Sequence, residues 1–288
     1  MKKLLALALA LVLAFTLAAC KSADPSDSAD PNGEANPGAN ATPSTDAAPD
    51  GDFAYIQGKG KIIVGYTVYA PMNYTDDDGN FTGFDTELTN IVCEKLGLTP
   101  DFVVINWTTK EIELAAKTID VVWNGLTITE SRKQEMEITK PYLRNAQVVV
   151  MKTGADYSGT ASLIGKTVVA EIGSAGELQL IGDDENEPEA NLAQSNYVGM
   201  ELQTACLMEV AAGTAAAAVL DLTLARAMIG EGTDYANLEI VDEMAEEFYG
   251  IAFRKGSDLC EMVNKLLDEL LADGTLTALA EKYQLVLA

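Results

Sequence analysis

The chain has 288 residues, and 48% of them are hydrophobic, which is typical of a globular protein. Its net charge of −25 argues against nucleic acid or anionic lipid headgroups as partners, because like charges repel. The chain contains no histidine, which excludes Ser-His-Asp and Cys-His catalysis and every zinc site that needs a histidine. We expect no metal site, no cofactor and no catalytic residue.

The N-terminal segment has the pattern of an export signal. Lys2 and Lys3 precede an apolar run at residues 4–19, which is short for a membrane-spanning helix. The sequence Leu-Ala-Ala-Cys at residues 17–20 resembles the lipobox of bacterial lipoproteins. This resemblance implies a signal peptide at residues 1–19, cleavage before Cys20 and lipidation of its sulfur. The alternative is an ordinary cleaved signal that leaves Cys20 free or paired.

Residues 21–52 predict a tether. Alanine is their only aliphatic residue, and the others are small, polar or charged. Such a segment cannot bury enough apolar surface to offset the entropy lost on ordering. We therefore assign residues 20–52 to a lipidated cysteine and a disordered tether, and residues 53–288 to the folded part.

In the folded part, short β-rich runs alternate with helical patterns. Strands are predicted at residues 62–64, 102–105, 119–123, 147–151, 167–170, 215–220 and 250–253. Helices are predicted at residues 85–96, 109–117, 175–180, 202–212, 222–229 and from about 259 to 273. Asp85 is the predicted cap of the first helix, and Gly97 its end. The alternation predicts an α/β fold with mostly parallel sheets.

Three cysteines lie in the folded part, and none has the spacing of metal ligands. Cys93 falls on the apolar side of a predicted helix, where cysteine behaves as a small hydrophobe. A disulfide between Cys206 and Cys260 is compatible with export, but the sequence does not establish it.

Polar clusters follow several strands, where ligands bind in such sheets. They are Tyr69-Ala70-Pro71, residues 124–127 with Arg132, residues 173–176, and Asp221. Each has an ordinary explanation when taken alone. Thr127 with Glu130, and Ser174 with Glu177, fit helix capping boxes, and Asp221 fits the cap of the helix that starts at residue 222.

Taken together, the clusters match the charges of a free α-amino acid. Arg132 offers the planar fork that fits a carboxylate, and Thr127 and Ser174 offer neutral donors. Asp221 offers the anion for the ammonium group. Two aromatic rings are candidates for covering the ligand's side chain: Tyr69 and Trp107.

Several motifs resemble those of bacterial extracellular solute-binding proteins of the polar amino-acid transport family, which feed ABC transporters. They are Gly-Phe-Asp-Thr-Glu-Leu at residues 83–88, the stretch at residues 119–132 and the stretch at residues 248–257. The resemblance extends over residues 53–284. It implies a two-lobed periplasmic-binding-protein type II fold with a two-strand hinge. Lobe 1 would hold residues 53–144 and 249–288, and lobe 2 residues 145–248.

The resemblance also implies roles for individual residues. It places the carboxylate-binding arginine at Arg132, hydroxyl donors at Thr127 and Ser174, and the ammonium-binding aspartate at Asp221. The aromatic wall falls on Tyr69 and Trp107, and positions that vary with the ligand on Asn124 and Glu171. Many relatives have Gln or Lys at the position of Glu171, so a buried acid there favours a ligand with a cationic or hydrogen-bonding side chain. Residues 107, 110 and 123–125 resemble a subgroup that includes cystine binders.

The sequence therefore predicts a monomeric receptor, anchored by lipid to the outer face of the membrane, that passes a free amino acid to ABC permease subunits. Three alternatives stay open. One is a dehydratase-like enzyme of the same fold, with Glu171 as its acid or base. The others are a ligand-responsive sensor and a surface adhesin with a vestigial pocket.

Overall fold

The computed structural model describes residues 51–288. The predicted signal peptide, Cys20 and the tether up to residue 50 lie outside the described residues. Asp52, assigned above to the tether, is instead the first residue of a helix, Asp52–Lys59. Its carboxylate lies 3.2 Å from the Arg254 guanidinium and accepts a hydrogen bond from Ser257 at 2.6 Å, which ties the start of the helix to the fold.

Residues 51–288 contain eleven strands and nine α-helices. The strands are β1 Lys61–Tyr66, β2 Tyr74–Thr75, β3 Phe81–Thr82, β4 Thr99–Val104, β5 Val121–Thr127, β6 Met136–Ile138, β7 Leu143–Lys152, β8 Thr167–Glu171, β9 Asn196–Met200, β10 Ala217–Asp221 and β11 Leu238–Arg254. The helices are α1 Asp52–Lys59, α2 Phe84–Leu96, α3 Lys110–Ala115, α4 Glu130–Glu135, α5 Ala175–Ile181, α6 Gln203–Ala212, α7 Leu222–Met228, α8 Leu259–Ala272 and α9 Thr275–Lys282.

Nine of the strands form one mixed sheet in the order β4-β1-β5-β11-β7-β10-β8-β9, with β6 also paired to β11. The α/β class is confirmed. The outer pairs are parallel, as predicted: β4 with β1, β1 with β5, β10 with β8, and β8 with β9. The expectation of a mostly parallel sheet is wrong at the centre, because β7 and β11 pair antiparallel with each other and with their neighbours.

Strand β11 is far longer than the predicted residues 250–253. Its first part pairs with β7 from Leu238 opposite Lys152 to Tyr249 opposite Leu143, and its last part pairs with β5. Two register shifts interrupt the β7 pairing, and such bulges bend a strand. Thus β7 and β11 join a first half of the sheet, made of β4, β1 and β5, to a second half, made of β10, β8 and β9.

The first turn of α2 differs from its prediction. Gly83 precedes the helix, and Asp85 is fully buried instead of capping it. The Asp85 carboxylate accepts hydrogen bonds from the Gly125 amide at 2.7 Å and the Tyr142 hydroxyl at 2.8 Å. Burial raises the pKa of Asp85 to about 7. Gly97 ends the helix in the left-handed conformation, as predicted.

The three cysteines of the described residues are buried, and each is a free thiol, so Cys206 and Cys260 are not joined. Cys93 packs in the main core as predicted, together with Leu88 and Val92 of the same helix. Across residues 51–288, every helix is too short or too polar to cross a bilayer.

Candidate functional site

A small polar cavity lies between the two halves of the sheet. All eight residues predicted from the sequence line it: Tyr69, Trp107, Asn124, Thr127, Arg132, Glu171, Ser174 and Asp221. Four further residues complete the lining: Thr67, Gly125, Ala175 and Gln203.

Strand ends bring these side chains together. Thr127, Glu171 and Asp221 are the last residues of β5, β8 and β10. Because β8 and β10 are parallel neighbours, their carboxyl ends lie side by side, and β5 ends on the other side of β7 and β11. The site therefore lies where the two halves of the sheet face each other, which is where α/β sheets commonly bind ligands.

Arg132 is carried by α4, one turn after β5. Thr129, not Thr127, caps this helix, because its hydroxyl accepts a hydrogen bond from the Arg132 amide at 3.1 Å. The guanidinium donates to the Thr127 carbonyl at 2.7 Å and to the Gly173 carbonyl at 2.8 Å. A guanidinium has five N–H donors, so others remain for a ligand. Burial lowers the pKa of Arg132, but an arginine stays charged.

Asp221 occupies the N-cap position of α7, yet its side chain makes no capping hydrogen bond. The ordinary explanation for this aspartate is therefore wrong. Its carboxylate instead accepts hydrogen bonds from the amides of Asn145 at 2.8 Å, Gln147 at 2.6 Å and Gln203. Three neutral donors thus hold a buried anion in a fixed orientation at the cavity wall.

The buried charges of the cavity are not paired with one another. Within residues 51–288, no nitrogen–oxygen ion pair of 4.0 Å or less includes Arg132, Glu171 or Asp221. Buried charges in proteins are normally paired. The arrangement therefore suits a small molecule that carries both signs of charge.

Glu247, on β11, is a site residue that sequence reasoning missed. One of its carboxylate oxygens accepts hydrogen bonds from Thr127 at 2.8 Å, Asn145 at 2.6 Å and Gln147 at 2.9 Å. It therefore shares two amide donors with Asp221. Burial, reinforced by the charge of Asp221, raises the pKa of Glu247 to about 7. In the sequence, Glu247 belongs to an acidic run at residues 242–247, a pattern that is typical of solvent-exposed surface and does not indicate a buried site residue.

The contact with Glu247 changes what Thr127 can offer. A threonine hydroxyl has one proton, and here it is donated to the Glu247 carboxylate. Towards the cavity the hydroxyl is then an acceptor, not the donor expected from the sequence.

Ser174 begins α5 as predicted. Its hydroxyl accepts from the Glu177 amide at 3.1 Å, and the Glu177 carboxylate accepts from the Gly173 amide at 2.7 Å. The capping box is thus confirmed, with its return bond one residue earlier than usual. The Ser174 hydroxyl proton remains available as a donor.

Glu171 is 4% exposed at the end of β8. Burial, and then the charge of Asp221, raise the pKa of Glu171 to about 8. The positive charges of Lys110 and Arg132 lower the pKa of Glu171, but neither side chain lies within the 4.0 Å of an ion pair with its carboxylate. Glu171 is therefore a buried acid without a cationic partner among the described residues.

The two aromatic residues and Asn124 are held by the protein itself. The Tyr69 hydroxyl lies 2.5 Å from the Tyr249 hydroxyl, and the Lys110 ammonium lies 4.9 Å from the centre of the Trp107 ring. Asn124 uses its amide fully: it exchanges hydrogen bonds with Thr67 and also donates to a neighbouring asparagine. Asn124 therefore shapes the cavity wall, and its polar atoms have no capacity left for a ligand.

Contacts across the cavity hold its two sides together. On the second half of the sheet, the Gly173 carbonyl accepts from Arg132 and, at 3.4 Å, from Lys110. Nearer the surface, Ser131 donates to Asp183 at 2.7 Å, and Gln134 donates to Glu185 at 2.9 Å. These four contacts all join α3 or α4 to the segment around α5. They close the cavity from the side of those helices.

Comparison with known proteins agrees with this geometry. Residues 62–286 match the family of bacterial extracellular solute-binding proteins, family 3. The chain is 32% identical over 211 residues to the probable amino-acid-binding protein YxeM of Bacillus subtilis, covering 72% of this chain and 77% of that protein.

Two solved structures have the same two-lobed α/β fold. One is an ancestral arginine-binding protein bound to arginine, with a TM-score of 0.71 and 32% identity over 78% of this chain and 98% of that one. The other is the ancestral amino acid-binding protein AncCDT-1, a precursor of cyclohexadienyl dehydratase, with a TM-score of 0.70 and 28% identity over 80% of this chain and 98% of that one. The resemblance inferred from the motifs is confirmed: the chain belongs to the bacterial extracellular solute-binding proteins, family 3.

Proposed function

We propose that this protein captures a free α-amino acid in the cavity and presents it to the permease of an ABC importer. The observation that carries the proposal is the pair of buried, unmatched charges, Arg132 and Asp221, in the walls of one small cavity. A free amino acid carries a carboxylate and an ammonium group on one carbon. It would neutralise both residues at once, as buried charges require.

Four polar side chains of the cavity then have a role in binding the main-chain groups of the ligand. The ligand carboxylate would accept from the remaining Arg132 donors and from the Ser174 hydroxyl. The ammonium group would donate to Asp221 and to the lone pairs of Thr127. The ligand's side chain would lie against two aromatic rings: Tyr69 and Trp107.

Binding would be coupled to closure of two lobes. Lobe 1 would comprise residues 53–144 and 249–288, and lobe 2 residues 145–248, with β7 and β11 as the hinge. Arg132 belongs to lobe 1 and Asp221 to lobe 2, so a ligand that contacts both favours the closed form. Moving such an equilibrium from 1:99 to 99:1 takes about 5.5 kcal/mol of differential binding.

Membrane attachment is a separate part of the proposal. Lipidation of Cys20 and a tether that follows it would hold a monomeric receptor at the outer face of the membrane, close to the permease. The lipobox-like sequence at residues 17–20 supports this. Because one acyl chain anchors a protein only weakly, stable attachment would need at least two.

An enzyme of the same fold is the second candidate. Glu171 supports it, because a buried acid with a pKa near 8 resembles a general acid or base. The likeness to a dehydratase precursor supports it at the level of the fold alone. Turnover of an added amino acid or of a prephenate-like compound would establish this candidate, and binding without turnover would exclude it.

A melting panel tests the main proposal. The protein is unfolded and refolded to remove any ligand retained during purification, and its Tm is measured with each of the twenty amino acids, cystine and ornithine. A ligand at about 1,000 times its Kd stabilises by about 4.1 kcal/mol, which corresponds to a rise of roughly 8 °C or more. At least one clear rise is expected. A flat response across the panel would refute the amino-acid assignment.

A further inference from the structure

The acidic side chains that line the cavity outnumber the basic ones. The charged side chains that line it are one cation, Arg132, and two carboxylates, Glu171 and Asp221. Each of the three is at most 7% exposed, so solvent screens them poorly.

The groups just behind the wall do not correct this imbalance. Lys110 is the nearest additional cation, and it lies 3.0 Å from Glu111, which neutralises it. Glu247 and Asp85 approach the cavity through Thr127 and Gly125 and add acidic groups only. Within residues 51–288, no lysine or arginine nitrogen therefore lies within ion-pair distance of the Glu171 carboxylate.

The main chain of an amino acid would leave the same imbalance. Its carboxylate pairs with Arg132 and its ammonium group with Asp221, so a ligand with a neutral side chain leaves Glu171 without a cationic partner. Burial then keeps Glu171 protonated near neutral pH, because it raises the pKa of this acid to about 8. A cation beside it would favour the ionised carboxylate and pair with it.

Glu171 and Asp221 are separate acidic groups of the cavity wall. They end the neighbouring parallel strands β8 and β10, and both line the cavity. Asp221 is held by three amide donors, Asn145, Gln147 and Gln203. A ligand with two cationic groups can therefore present one to each acid.

We propose that the cavity selects an amino acid with a cationic side chain and that Glu171 pairs with that cation. The inference rests on the proposed function, because it assumes that Arg132 and Asp221 bind the ligand's main-chain charges. The aromatic ring of Trp107, at the same cavity wall, adds a surface on which a methylene chain or a cation can lie.

Calorimetric titration of the refolded protein tests this. The ligands are L-arginine and L-lysine and two neutral analogues of similar size, L-citrulline and L-norleucine. We expect each cationic ligand to bind at least tenfold more tightly than its neutral analogue. In Glu171→Gln this preference should fall to about twofold or less, through weaker binding of the cationic ligands. Glu201→Gln removes the same charge from an exposed position of the same region and should keep the native preference.

Each outcome has a distinct meaning. If a neutral ligand binds the native protein as tightly as its cationic analogue, the selectivity is refuted while the proposed function stands. If no amino acid binds, the proposed function fails as well. If Glu171→Gln keeps the native preference, Glu171 is the wrong residue. Glu171→Asp retains the charge and should retain a preference for cations, which covers the case in which Glu171→Gln does not fold.

Discussion

At the residue scale, uncharged side-chain amides fix the orientation of two acidic groups at the cavity. Asn145 and Gln147 each donate to both Asp221 and Glu247. Amide donors hold a carboxylate in place without neutralising it, so its charge remains available to a ligand. A lysine or arginine at these positions would pair with Asp221 and compete with the ligand's ammonium group.

The hydroxyl of Thr127 contributes to binding through its contacts with Glu247 and with the ligand. Thr127→Val keeps the shape of the side chain but removes the hydroxyl, which leaves Glu247 with one donor fewer and the ligand with one polar contact fewer. We expect the affinity for the best amino acid to fall about tenfold, which is roughly 1.4 kcal/mol. Thr127→Ser keeps the hydroxyl and should stay within about threefold of the native protein. Equal affinities in calorimetry for the Val and Ser variants would show that the hydroxyl has no role.

Three of the site residues that the sequence predicted share one property. Thr127, Ser174 and Asp221 lie at or just after strand ends, where a general rule of α/β sheets locates ligands. Glu247 escaped prediction because it lies inside a strand, and its role depends on the antiparallel register that sets it opposite Asn145. A pairing register between distant strands is not a local property of the sequence.

At the element scale, Gly125 lets β5 pass beneath two tyrosine rings. Its φ is 59°, and a Cβ atom there would lie 2.8 Å from a ring carbon of Tyr69 and 3.2 Å from one of Tyr249. Its amide also donates to the buried Asp85 carboxylate. A side chain at this position would therefore strain the backbone and displace the cavity wall together.

Gly125→Ala should lower the free energy of unfolding by about 2–4 kcal/mol, measured by urea denaturation. Gly79→Ala is the matched control, because its φ of 84° is also left-handed but no atom within 4 Å would meet the new Cβ. The control should lose only about 1 kcal/mol, the cost of the backbone conformation alone. Similar losses in the two variants would mean that the tyrosine contacts are unimportant.

Periodicity predicted the elements that bury one continuous apolar face. Strands β1, β8 and β10 and the helices α2, α6 and α8 lie close to their predicted ranges. The first part of β11 was missed because its acidic residues suggest a surface loop, although it pairs with β7 from Leu238 to Tyr249 with two register shifts. The short strands β2, β3 and β6 are too brief to show any periodicity.

At the scale of the whole molecule, buried acids link stability to pH. Burial raises the pKa of Asp85 and of Glu247 to about 7 and that of Glu171 to about 8. In an unfolded chain such groups titrate near pH 4. Between about pH 5 and 7 the folded protein therefore holds protons that the unfolded chain has released, so stability falls as the pH rises.

We expect the free energy of unfolding of the ligand-free protein to fall on the order of 1 kcal/mol per pH unit for each of the three acids from pH 5 to 7, and to level off above about pH 9. Urea denaturation at fixed ionic strength measures it. Glu247→Gln removes one of the titrating groups and should make the slope shallower, whereas the exposed Glu201→Gln should leave it unchanged. Stability that is constant or rises over this window would contradict the pKa shifts.

If an amino acid binds through its main-chain charges, its carboxylate lies on Arg132, and a double-mutant cycle measures that contact. The affinities of the best amino acid and of its carboxamide derivative, which lacks the carboxylate charge, are measured for the native protein and for Arg132→Met. We expect the native protein to bind the carboxamide at least 100-fold more weakly, a difference of about 2.7 kcal/mol. We expect Arg132→Met to bind both compounds weakly and almost equally. A carboxamide penalty of the same size in the variant would show that the carboxylate binds elsewhere, and Arg132 would not be the carboxylate site.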